Sequence, residues 1–77
     1  MTEQEWKAEL ADAIETTGVL WQVFAAGCTQ NSSILYAHVD DAETRQYRAI
    51  RISMDTFPTV DARKAEIVRQ LNATPRL

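Results

Sequence analysis

The chain has 77 residues, 45% apolar and 25% charged, with eight bases against eleven acids and a net charge of −3. This is the composition of one ordinary globular domain, with too many patterned apolar residues for disorder. The acidic balance argues against non-specific binding of the whole molecule to nucleic acid or to an anionic membrane, and no run approaches the ~20 apolar residues that span a bilayer.

Residues 2–17 carry the marks of a helix. Thr2 and Glu5 form the T-x-x-E capping pattern. Glu3, Glu5 and Glu9 crowd the end where the helix dipole favours acids. Trp6, Leu10, Ala13, Ile14 and Thr17 share a face, and Gly18 suits the left-handed position that ends many helices. This opening segment lacks the basic start and apolar run of a signal peptide. The single cysteine, Cys28, leaves no internal disulfide, so a cytoplasmic setting is expected.

Residues 19–26 are β-branched and aromatic and predict a strand, with Val19, Trp21, Val23 and Ala25 inward and Leu20, Gln22, Phe24 and Ala26 outward. A polar loop follows over 27–33. Residues 34–39 predict a second strand with Leu35, Ala37 and Val39 inward and Ile34, Tyr36 and His38 outward. An acidic hairpin loop spans 40–44. Residues 46–54 predict a third strand with Ile50, Ile52 and Met54 inward and Tyr47, Ala49 and Arg51 outward. Phe57-Pro58 makes a turn, and Thr59 caps a second helix over about 60–73, with Thr56 as the alternative, earlier start. Val60, Lys64, Ile67, Val68 and Leu71 are its expected buried face, and Pro75 its end, with Arg76 and Leu77 fraying.

The order is α-β-β-β-α. Short connections make the strands an antiparallel meander, and two amphipathic helices cover one of its faces. The expected architecture is a two-layer α+β domain. Its other face then exposes Leu20, Gln22, Phe24, Ile34, Tyr36, His38, Tyr47 and Arg51, and the competing reading packs one helix on each side of the sheet or inverts the facing of a strand. Open antiparallel faces are usually polar. An aromatic one with an arginine has the composition of a binding hot spot, for another protein or for a second copy of the chain.

Charge divides along the chain. Residues 1–41 hold one base, Lys7, against seven acids, whereas residues 42–77 hold seven bases against four acids. Glu5, Glu9 and Asp12 make the first helix a second docking candidate, for a basic partner. Arg45, Tyr47, Arg48, Arg51, Arg63 and Lys64 offer the alternative of a nucleic-acid contact, with Tyr47 stacking on a base. On a strand, however, residues three apart alternate faces, so Arg45, Arg48 and Arg51 do not form one row. The competing reading has Arg45 and Arg48 neutralising the Asp40, Asp41 and Glu43 loop.

The element order resembles that of the double-stranded-RNA-binding domain and of the small interferase toxins built on it. The resemblance implies a basic cluster on phosphates at the start of the second helix. The comparable stretch here is Asp61-Ala62-Arg63-Lys64-Ala65, preceded by Met54-Asp55-Thr56-Phe57-Pro58 in place of a glycine-rich lead. The first helix, which that family sets in the minor groove, is acidic here, and phosphate repulsion opposes such docking.

His38 is the only histidine, with Asp40 two residues on and able to orient it, which gives a third reading of a small nuclease. His38, Asp40, Asp41 and Glu43 are a weak set of metal ligands, and Cys28 lies in a polar loop with no base beside it. No P-loop, dinucleotide fingerprint or CxxC occurs. The expectation is therefore a small non-enzymatic interaction or regulatory protein, without cofactor or metal. By analogy it has the profile of an inhibitor from a phage or mobile element.

Overall fold

The computed structural model describes residues 1–73. The expectations for Pro75, Arg76 and Leu77 lie outside the described residues. Five elements follow in order: α1 (Glu3–Thr17), β1 (Gln22–Cys28), β2 (Ile34–Asp41), β3 (Gln46–Ser53) and α2 (Val60–Asn72). The strands form one antiparallel sheet in the order β1-β2-β3, and both helices cover the same face. This is the expected two-layer α+β arrangement.

Local chemistry sets the helix limits. The Thr2 side chain accepts from Glu5 N–H, and the Glu5 carboxylate accepts from Thr2 N–H at 3.0 Å, so both halves of the capping box form. Gly18 closes α1 at φ 73°, a left-handed conformation that a β-carbon would strain. Thr59 caps α2 by accepting from Ala62 N–H.

The core lies between the layers. Trp6, Leu10 and Ala13 of α1 and Ile67 and Leu71 of α2 pack on Leu35, Ala37, Val39, Ile50 and Ile52, all fully or almost fully buried. Trp6 also donates its indole N–H to the Tyr36 carbonyl at 2.9 Å, which pins α1 to the central strand.

Two expectations are corrected. The first concerns β1, which begins at Gln22 rather than Val19. Thr17 Oγ1 accepts from Val19 N–H and Trp21 N–H donates to the Val19 carbonyl, which bends Val19–Trp21 into a tight connector. Within β1 the register shifts between Val23 and Ala25, leaving Phe24 as the extra residue of a bulge. Beyond it Ala26 pairs with inward Ala37 and Ala25 with outward His38, so the expected facings of Ala25 and Ala26 are exchanged.

The second concerns α2. Its inner stripe is Arg63, Ile67 and Leu71, while Val60 is 55% exposed and Lys64 half-buried. Arg63 is admitted because Glu9 of α1 meets it inside. Its Nε and Nη2 donate to the two Glu9 carboxylate oxygens at 2.8 and 3.0 Å, and its Nη1 donates to the Phe57 carbonyl at 3.2 Å.

Candidate functional site

The sheet face away from the helices is wet and aromatic. Phe24, Tyr36 and Tyr47 are 59%, 43% and 50% exposed. The bulge throws the Phe24 ring onto this face, where it sits 6.0 Å from His38 and 6.0 Å from Tyr47, centroid to centroid. His38 and Tyr47 stack at 5.8 Å, and His38 Nδ1 is hydrogen-bonded to the Tyr47 hydroxyl. One ring from each strand thus makes a preformed cluster whose members hold one another in place.

Tyr36 occupies the other end of the face. It pairs with Gly27 on β1 and Arg51 on β3. Its ring lies over Gly27 so closely that a β-carbon there would stand 2.6 Å from the hydroxyl oxygen. An aromatic ring covering a strand glycine shields the ladder and gains its own footing. The sequence places Gly27 at the start of the polar loop, whereas β1 continues through it to Cys28, and a strand glycine marks such a close approach. Gln22 is exposed and Ile34 half-buried on the same face. Leu20 is not part of it. It sits in the connector and borders a groove beside α1 instead.

Asp40 does not orient His38, because Tyr47 takes that place. Asp41 is buried and turned to its own loop, accepting from Glu43 N–H at 3.1 Å and Thr44 Oγ1 at 2.9 Å. Among the described residues no three His, Cys, Asp or Glu side chains gather as metal ligands would.

The candidate charges are mostly engaged within the chain. Glu9 and Arg63 pair in the interior, Asp12 lies 3.1 Å from Lys64, and Glu5 serves the helix cap. The Glu9 hydrogen bonds hold the Arg63 guanidinium above its ordinary pKa, against the opposing effect of burial. Arg48 points inward and is buried, its guanidinium 5.3 Å from the Trp21 ring centroid and its Nε donating to the Leu71 carbonyl at 3.2 Å. It therefore does not neutralise the acidic loop as expected. Arg45 is exposed at the hairpin with φ 56°, and Arg51 is exposed on the aromatic face. Of the five bases offered for phosphate contact, Arg48 and Arg63 are inside and Lys64 is paired with Asp12.

Comparison with protein-family models, curated proteins and solved structures gave no match. Among the described residues no helix is long and apolar enough to cross a membrane.

Proposed function

We propose that this protein is a small interaction module that docks another protein through the open face of its sheet. The observation that carries the reading is the Phe24–His38–Tyr47 cluster, exposed yet already ordered. Rigid aromatic anchors lose little entropy on binding, which is why such residues dominate interface energetics. Tyr36 and Arg51 extend the patch toward the far end of the sheet.

The acidic helix is the weaker candidate, since Glu5, Glu9 and Asp12 are already engaged. A nucleic-acid role has less support still. Stacked rings suit unpaired bases, but a backbone-tracking groove must be basic. The outward residues of the three strands include one arginine, Arg51, and one acid, Asp40. The interior positions of Arg48 and Arg63 take two of the five bases behind that alternative away from the surface.

The test is affinity capture with the wild type and with a Phe24→Ser/Tyr47→Ser variant, followed by binding measurements with the purified captured protein. Both side chains are exposed, so the variant is expected to stay folded, and circular dichroism checks that. Loss of at least about 30-fold in affinity is expected from removing two anchors. Equal binding of the purified partner by both forms removes this reading.

A further inference from the structure

The two edges of the sheet are treated differently. On β3 the Gln70 side chain of α2 grips the outer backbone of Arg51. It accepts from Arg51 N–H at 3.0 Å and donates to the Arg51 carbonyl at 2.9 Å, and it is held there by donating to Glu66 at 2.9 Å. A strand added at that edge would have to displace it. On β1, Gln22–Cys28, there is neither charge nor proline. Among the described residues no side chain bonds its backbone. Sheet edges in monomers are normally blunted by charge, proline, a bulge or a covering segment. Among the described residues the bulge at Phe24 is the one such device, and it leaves the Gln22–Val23 end open.

The core is also unsealed on this side. The inward apolar residues of β2 and β3 (Leu35, Ala37, Val39, Ile50 and Ile52) are at most 2% exposed, but inward Val23 of β1 is 38% exposed and neighbouring Leu20 is 85% exposed. Between α1 and β1 runs a groove of about 650 Å³, floored by Ala11, Ile14, Leu20 and Val23. Lys7 and Glu15 also line it, Lys7 at 3.1 Å from Glu3 of its own helix in an exposed pair that costs little to open.

The charges identify the occupant. Lys7, Ala11 and Glu15 follow at i, i+4 and i+8 on one stripe of α1. A base and an acid therefore stand equally far on either side of a small residue. A two-fold axis at Ala11 sets each base against the opposite acid, twice over, and the small residue at the axis lets two helices approach. This self-complementarity is what an isologous contact requires. A standard interface of about 800 Å² a side is a modest part of the 5221 Å² surface, and a chain of this size gains much from the extra burial.

We infer that the groove between α1 and β1 seats a second copy of this chain, in an antiparallel two-fold dimer that sets Lys7 of each protomer beside the partner's Glu15. The two β1 edges lie side by side, and Leu20 and Val23 are sealed in the contact. Both aromatic faces then open on one side of a joined sheet. The inference does not rest on the proposed docking role, because groove and aromatic cluster are separate surfaces.

Sedimentation equilibrium at low salt tests it. The wild type is expected at twice the 8.7 kDa chain mass. Lys7→Glu alone and Glu15→Lys alone should each weaken dimerisation by at least about tenfold, by setting like charges together. The double exchange should restore it, because it rebuilds the pairs with reversed sign. Leu20→Asp should give monomer, with circular dichroism as the check that this exposed change leaves the fold intact. A wild type at the monomer mass at about 100 μM, well above the micromolar range of a modest interface, overturns the inference. So does a dimer that the two single charge variants leave unchanged, or one that Phe24→Ser/Tyr47→Ser breaks and Leu20→Asp does not.

Discussion

Arg63 has its side chain 5% exposed and Glu9 14%, joined by two parallel hydrogen bonds. A charge in that position is tolerated only while its partner remains. Arg63→Met or Glu9→Leu alone is expected to destabilise the fold by about 3–5 kcal/mol, whereas the double change should recover most of the loss. Urea unfolding of the three variants measures this. Full additivity of the two losses would show that the residues do not act as a pair. Arg63 escaped the sequence reading because counting apolar positions treats an arginine as a surface residue. A signal was present even so. Arg63 continues the stripe of Ile67 and Leu71 at intervals of four, and Glu9 lies beside the Trp6, Leu10 and Ala13 stripe, three residues after Trp6 and four before Ala13. Tyr36 and Tyr47 were legible because strand alternation is strict wherever no bulge intervenes, whereas Phe24 reaches the same face as the extra residue of the bulge.

Among the elements, α2 ties the sheet edge to its own last turns. Arg69 donates to both oxygens of Glu66 at 2.6 Å, Gln70 donates to Glu66, and Gln70 in turn holds Arg51. These bonds, from Arg69 first, hold the Glu66 carboxyl below its ordinary pKa against the effect of burial. The Thr2 backbone N–H, and then its hydroxyl, lower Glu5 in the same way. A carboxyl that is more acidic in the folded state contributes stability above its unfolded pKa of about 4.3, and that stability is lost as pH falls through the folded value. The melting temperature should therefore drop on acidification below the ordinary glutamate range, and Glu66→Gln should flatten that acid limb. Thermal melts across the range check it, and an unchanged limb in the variant would remove Glu66 as a contributor. Element order and both caps could be read from the chain, because capping and periodicity are local. The start of β1 and its bulge could not. Both depend on how Thr17 closes the connector and on which ring must reach the outer face.

For the whole molecule, the charge split along the chain is in good part an internal matter. The acidic first helix and the basic second helix lie beside one another, and Glu9–Arg63 and Asp12–Lys64 join them. An asymmetry that reads as a docking signal in one dimension is closed within the folded chain, since nothing in the sequence says that its two ends meet. Because they do meet, neither half holds a core alone: Ile67 and Leu71 lie at the end of the chain, while Trp6 and Leu10 lie at its start. A chain ending at residue 58 is accordingly expected to lose cooperative unfolding altogether, with the near-ultraviolet signal of Trp6 lost as well. A sharp melt in that fragment would show that the sheet and α1 suffice.

Gln70's hold on Arg51 has a consequence beyond one molecule. Open-ended stacking of strands into a fibre needs a vacant margin on both sides of every unit, so that each newcomer offers a place for the next. Here one margin is plugged by the molecule's own amide, and whatever joins at the other side finds no place to continue.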